Sequence, residues 1–395
     1  MSCCCGGSQS AVGALFCLWV RSGFQKSSVA GALTFWPPDP PYYKFQRRSA
    51  DGKSLLDNDD DEDANSCDED DGSTTTNTSS AAQPRTTFDE RAKKQRQRAK
   101  QRRKRDNKDA NEKVTYQLEL DPRLSSPLKF HGKIEVIKLY NPKSKAHLAV
   151  VIYRQPTTKN TSKNTKTILY SHGNASDIGT MSMMQSILAK RLKVNVVMYD
   201  YSGYGESGGL PLEKNTYSDI ETVFSYCVQH LTHNNNSKQI IVYGESVGSG
   251  PSCYLCSRKE HDVAGGLILH APFTSGMRVL TANRSLGWLD IFPNLYRIQK
   301  VNCPVFILHG MKDATVDVTH GFALYQSIPP EYKRTPWWVP NRGHSDICQG
   351  TAHRKEYIRR LEHFLNHLEK RDDKYDDDDI EAYGPLGCNI CLVAE

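Results

Sequence analysis

Gln239-Ile240-Ile241-Val242-Tyr243-Gly244-Glu245-Ser246-Val247-Gly248 is the stretch that decides the fold. Its first half is a short apolar run of strand length, and its second half is Gly-x-Ser-x-Gly with no residue between the two. A strand that ends in this pentapeptide and opens a helix makes a strained turn. That turn lifts the serine hydroxyl above a sheet, with glycines where a Cβ would collide. Ser249 to Cys256 begins with small side chains able to pack close to strands and reads as the helix required. Ser246 is the candidate nucleophile. The pattern recurs at Gly205-Glu206-Ser207-Gly208-Gly209, but that copy sits in the glycine-rich stretch Asp200 to Pro211, with no helix behind it. It reads as a loop.

Outward from Ser246, apolar runs alternate with helical patterns. Buried strands are expected at Thr167–Tyr170, Val194–Tyr199, Gln239–Tyr243, Gly266–Leu269, Val305–Leu308 and Trp337–Val339. Helices are expected at Met181–Arg191, Tyr217–His233 and Arg354–Leu368. Two alternating segments, Lys133–Tyr140 and His147–Tyr153, precede them as an antiparallel opening. Strands alternating with helices imply an α/β fold, a mostly parallel central sheet covered on both faces. With the Ser246 turn, this is the α/β-hydrolase fold.

A serine hydroxyl needs an adjacent base, and the base needs a carboxylate to orient it. In this fold the chain order is Ser, acid, His. Asp313 follows the expected strand Val305–Leu308 in His309-Gly310-Met311-Lys312-Asp313 and is the candidate acid, with Asp317 four residues on as the alternative. His344, in Asn341-Arg342-Gly343-His344 after the last strand, is the candidate base. Asp346 reads as a cap of the last helix or a brace of its loop. His172, His270 and His309 each follow a strand and read as loop packing. The oxyanion hole calls for the backbone N–H after the nucleophile, Val247, and one from the loop Ser171-His172-Gly173-Asn174-Ala175, where Asn174 is preferred to Ala175. Such chemistry needs no metal or organic cofactor. Cys253 and Cys256 lie in the helix after the nucleophile and read as small core residues rather than zinc ligands, and Cys388 and Cys391 lie in a polar tail.

The 395 residues divide unevenly. Residues 1–45 form a cysteine-rich leader, 46–113 a polar insert, 114–370 the α/β domain and 371–395 a polar tail. The insert carries an acidic block, Asp57 to Asp71, and a basic one with ten Lys or Arg among the fifteen residues Arg91 to Arg105. Its composition predicts disorder. The net charge of +6 averages over these blocks and does not indicate nucleic acid. The basic block lacks interleaved aromatics, so base readout is not expected; it reads as a solvated linker or a supplementary contact to anionic lipid. Four of the twelve cysteines, Cys3, Cys4, Cys5 and Cys17, crowd the start of the chain, which argues against a disulfide framework and for a reducing compartment. The run Ala11–Val20 is too short to span a bilayer and lacks the flanks of a signal peptide. Ser2 excludes N-myristoylation, so acylation of Cys3, Cys4 and Cys5 is the lipid route left, and Cys391 stands one position too early for prenylation.

Together these residues resemble the alpha/beta-hydrolase domain-containing protein 17 family, membrane-anchored palmitoyl-protein thioesterases. The resemblance rests on Phe35-Trp36-Pro37-Pro38-Asp39-Pro40, Ser171-His172-Gly173-Asn174-Ala175, Tyr199 to Gly205, Gly244 to Gly248, His270 to Gly276 and Gly343-His344-Ser345-Asp346-Ile347. It runs from about Gly31 to Ile347 and is interrupted by the insert. It implies hydrolysis of the thioester between a fatty acyl chain and cysteine on S-palmitoylated membrane proteins. It also implies an N-terminal cysteine cluster that is palmitoylated, and residence on the cytoplasmic face of plasma membrane and endosomes. A lipid esterase with the same triad and a non-catalytic scaffold are the alternatives. The shorter cluster, followed by Gly6-Gly7, and the insert are departures from the family pattern.

Overall fold

The computed structural model describes residues 34–49, 53–55, 88–112, 114–124, 130–156, 165–258, 264–280 and 290–368. The cysteine cluster, Ala11–Val20, the acidic block and the tail cysteines lie outside them. In chain order the main elements are β1 (Tyr43–Arg48), α1 (Phe88–Glu112), β2 (Thr115–Leu120), β3 (Lys133–Asn141), β4 (Ala146–Arg154), β5 (Thr167–Ser171), α2 (Ile178–Leu192), β6 (Asn195–Tyr199), α3 (Glu213–Leu231), β7 (Ile240–Glu245), α4 (Ser249–Cys256), β8 (Gly266–His270), β9 (Val305–Gly310), α5 (Val318–Ser327), β10 (Trp337–Val339) and α6 (Thr351–Asn366).

Eight strands form one sheet in the order β10-β9-β8-β7-β5-β6-β4-β3. β4 is antiparallel to both β3 and β6, and every other pairing in the sheet is parallel. The expected α/β-hydrolase fold is therefore the observed one. Alternation along the strands feeds two cores. On β7, Ile240 and Val242 point to the face covered by Ile220, Val223 and Cys227 of α3 and by Cys253 and Leu255 of α4. Ile241 and Tyr243 point to the opposite face, covered by Leu188 and Ala189 of α2 and by Tyr357, Leu361 and Phe364 of α6. A strand buried on both faces has no polar side to alternate with, which is why these segments read as continuous apolar runs. Each fully buried Ile, Leu or Val contributes about 1.5–3 kcal/mol.

The leader and insert depart from expectation. β1 and β2 pair antiparallel from Tyr43↔Leu120 to Arg48↔Thr115, so the leader's end and the start of the main domain form one ribbon. Phe35 is buried and meets Tyr204 and Phe292 edge-on. The boundary at residue 45 cuts a strand. The insert, read as disordered throughout, contains α1 across 25 residues, including the whole basic block. Arg, Lys, Gln and Ala are strong helix formers. The crowding of like charges that opposes a helix is relieved by acidic partners. Arg98 pairs with Asp39, Arg105 with Glu206, and the helix's own Asp109 accepts from Arg47 Nε at 2.7 Å.

Candidate active site

The parallel strands deliver their side chains to one edge of the sheet. Ser246 follows β7 directly, with φ at +49°. That left-handed conformation costs a non-glycine residue about 1–2 kcal/mol, and the packing around the turn holds it. A Cβ on Gly244 would lie 2.6 Å from the Gly248 carbonyl oxygen, and one on Gly248 would lie 2.1 Å from that of Ser171. No side chain fits at either position, so the turn stays closed against β5.

Asp313 lies three residues beyond β9, and His344 lies in the loop between β10 and α6. The structure brings them to Ser246. His344 Nε2 is 3.0 Å from Ser246 Oγ, and His344 Nδ1 is 2.7 Å from Asp313 Oδ2. Asp313 Oδ1 accepts from the N–H groups of Thr315 and Val316 at 2.8 Å each, which fixes the carboxylate plane. Burial raises the Asp313 pKa, but hydrogen bonds from His309, His344 and the Val316 N–H outweigh it and hold the carboxyl well below its ordinary value. An anion facing Nδ1 keeps the proton there and leaves Nε2 as acceptor toward the serine. The alternative acid, Asp317, is engaged elsewhere, accepting from the Thr319 N–H at 2.9 Å as the N-cap of α5. Asp346 Oδ1 accepts from the Gly343 N–H at 2.6 Å and so braces the turn before His344.

Val247 is buried in the first turn after the elbow, where backbone N–H groups have no intrahelical acceptor. On the other side, a Cβ built on Gly173 would lie 3.9 Å from the Ser246 Cβ, so the loop containing Asn174 borders the nucleophile. The Asn174 side chain, which the oxyanion assignment leaves without a task, has one. Its Oδ1 accepts from the Trp36 N–H at 2.8 Å and from the Tyr204 hydroxyl at 2.7 Å, and its Nδ2 donates to the Thr34 carbonyl at 2.6 Å. It ties the leader to the site.

Sequence reading missed His309 as a member of the site. Its Nε2 lies 2.8 Å from the Val316 carbonyl and 3.2 Å from Asp313 Oδ2, the same oxygen that faces His344 Nδ1. Its position at the end of β9, four residues before Asp313, is the signal that identifies it. His270 is buried against the Tyr243 hydroxyl, 3.0 Å away, and burial lowers its pKa. Cys253 and Cys256 are both buried in the core beside α3, as a reading of small core residues requires.

A parallel sheet bearing a strained serine, with a histidine and a carboxylate converging from the next strand ends, defines the class as α/β-hydrolase. Within it the chain is a relative of the alpha/beta-hydrolase domain-containing protein 17 group, as its motifs imply. It is 39% identical over 202 residues to alpha/beta hydrolase domain-containing protein 17B of Homo sapiens, covering 51% of this chain and 66% of that protein. It is 40% identical over 202 residues to protein 17C of Xenopus tropicalis, covering 51% and 62%. The hydrolase domain-containing protein aho-3 of Caenorhabditis elegans is 39% identical over 201 residues, covering 51% and 57%. The matched stretch spans less than two thirds of each relative. Residues 162–296 match the family described as serine aminopeptidase, S33. Among solved structures, an esterase of Pyrococcus furiosus is 17% identical with a TM-score of 0.49, covering 62% of this chain and 98% of that one.

Proposed function

We propose that this chain is a serine hydrolase that releases fatty acyl groups from cysteine thioesters of membrane-bound proteins. The observation that carries the hydrolase reading is the continuous hydrogen-bonded path from Ser246 Oγ through His344 to Asp313 Oδ2, with separations of 3.0 and 2.7 Å. Ser246 attacks the acyl carbonyl while His344 Nε2 takes the hydroxyl proton. The N–H groups of Val247 and Asn174 hold the oxyanion. Collapse expels the cysteine thiolate, which takes the proton from His344, and leaves the acyl group on Ser246. Water then gives a proton to His344 and attacks the acyl-enzyme, releasing the fatty acid and restoring the serine. The thioester preference rests on the family resemblance. Turnover of a palmitoylated peptide and of a monoacylglycerol, compared side by side, tests it. Faster cleavage of the glycerol ester would assign the site to lipid esterase chemistry. A fluorophosphonate that labels neither wild type nor Ser246→Ala would remove the hydrolase reading altogether.

Acyl chains on Cys3, Cys4 and Cys5 supply the membrane anchor in this reading, because a single chain binds only marginally, at about 10⁴ per molar. Replacing all three with serine moves the protein to the soluble fraction and leaves probe labelling intact. Retention on membranes in high salt would locate the anchor elsewhere.

A further inference from the structure

The basic helix α1 carries two stripes with different fates. Arg98, Arg102 and Arg105 turn inward and are engaged, with Asp39, with the Ser207 carbonyl at 2.7 Å and with Glu206 respectively. Arg96, Lys100 and Arg103 follow at i, i+4 and i+7 on another stripe. All three are exposed, and among the described residues none has a carboxylate partner. They form one wall of a cleft of about 480 Å³. The opposite wall is the β3–β4 hairpin, which contributes exposed Tyr140 from the end of β3, exposed Lys145 from the turn and half-buried His147 from the start of β4. The acidic side chain in the lining, Asp106, is already neutralised by the buried Lys138 ammonium at 2.6 Å, with His147 Nδ1 3.6 Å from its other oxygen.

Four unpaired cations therefore face one another across a cavity whose volume falls within the roughly 300–1,000 Å³ typical of ligand sites. We propose that this cleft binds a polyphosphorylated anion, either the headgroup of an acidic phospholipid or a soluble phosphate ester of the same chemistry. Arginine forks match phosphate geometry, and the separation of the cations over two walls suits a ligand with more than one phosphate. The cleft opens on the same sheet edge as Ser246, because β4 begins beside the end of β6, with Val150 opposite Tyr199. It stands three strand positions from β7, about 15 Å at the usual strand spacing. A headgroup seated there turns the triad edge of the sheet toward the bilayer.

The test uses the full chain with Cys3→Ser, Cys4→Ser and Cys5→Ser, so that acyl chains contribute nothing. Cosedimentation with phosphatidylcholine vesicles, with and without phosphatidylinositol bisphosphate, is compared with calorimetric titration of soluble inositol trisphosphate. Binding of both probes assigns the phosphate ester itself as the ligand, and binding of the vesicles alone assigns the lipid. Arg96→Glu with Lys100→Glu and Arg103→Glu lowers the affinity at least about tenfold, and Lys145→Asn alone, from the other wall, about fivefold. Lys193→Glu with Lys214→Glu and Lys355→Glu makes the same change in net charge at exposed positions outside the cleft and leaves the affinity nearly unchanged. Equal losses from the two triple variants would reduce the binding to general electrostatic attraction and overturn the site. So would the absence of binding to either probe.

Discussion

Two copies of Gly-Glu-Ser stand on loops that follow β6 and β7 at one edge of the sheet, and their serines lead opposite lives. Ser246 sits at φ +49° with its hydroxyl 3.0 Å from a histidine nitrogen. Ser207 is fully buried; its hydroxyl donates to the Asp200 carbonyl at 2.7 Å and accepts from the Ala149 N–H at 2.8 Å. Around it, Glu206 receives Arg105 of α1 and its N–H donates to the Tyr43 hydroxyl of β1 at 2.9 Å. Burial raises the Glu206 pKa, but Arg105, Arg102 and Lys138 reverse the shift and hold it ionised, below its ordinary value. One pentapeptide is strained and open toward a base. The other is a satisfied knot that fastens the loop, β1 and α1 together. A short motif therefore carries chemistry only through what precedes and follows it.

The sharpest way to break that contrast is to delete each hydroxyl. Ser246→Ala should abolish probe labelling and lower turnover by up to about 10⁶-fold with little change in melting temperature. Ser207→Ala should leave labelling intact and cost about 1–3 kcal/mol of stability, because the Ala149 N–H loses its buried acceptor. Chemical denaturation of the two variants checks this, and a loss of labelling in Ser207→Ala would erase the distinction. Asp313→Asn comes next, with an expected fall in kcat of about 10⁴-fold from the wrong histidine tautomer, read from steady-state kinetics.

A smaller effect depends on pH and lies where α3 meets the loop of the buried copy. Asp219 of α3 accepts from the Ser202 N–H at 2.7 Å and from Asn141 Nδ2 at 2.7 Å. Burial raises its carboxyl to about 7, against the lowering effect of those hydrogen bonds. The folded protein thus keeps a proton that the unfolded chain releases near 3.8. This group's contribution to stability is complete below that value, falls as pH rises to about 7, and is level above. Melting temperatures across that window should decline more steeply in the wild type than in Asp219→Asn, and parallel curves would refute the assignment. Smallest of all, Lys94→Ala should cost less than about 1 kcal/mol, since its pair with Asp39 is largely solvated.

Much of this was legible in the sequence because it is local. The apolar runs fall within one or two residues of the strands observed, and the residues before and after each pentapeptide separate Ser246 from Ser207. The candidate acid and base follow from chain order and strand ends, and the structure brings Asp313 and His344 into line with Ser246. What escaped is held together by partners distant in sequence. α1 has no apolar stripe to betray it. Its inward face is charged and meets Asp39, Glu206 and Arg47, which lie before or after it by dozens of residues. A helix docked by ions leaves no 3.6-residue hydrophobic period to find. β1 was hidden for a related reason, since its partner β2 begins 67 residues beyond its end. The role of the Asn174 side chain depends likewise on Thr34 and Trp36, about 140 residues earlier in the chain.

The β1–β2 ribbon has a consequence for how this chain tolerates change. It closes at Arg48 opposite Thr115, so the chain that leaves at Arg48 and carries α1 returns to its point of departure. The entropy lost in closing such a loop grows only with the logarithm of its length, about 0.6 kcal/mol for each doubling. Residues can therefore be added between the ribbon and α1 severalfold over for less than the worth of one buried leucine, whereas cutting into α1 itself would strip Glu206 and the buried Lys138 of their partners. In this architecture new sequence is cheapest to add between ribbon and helix.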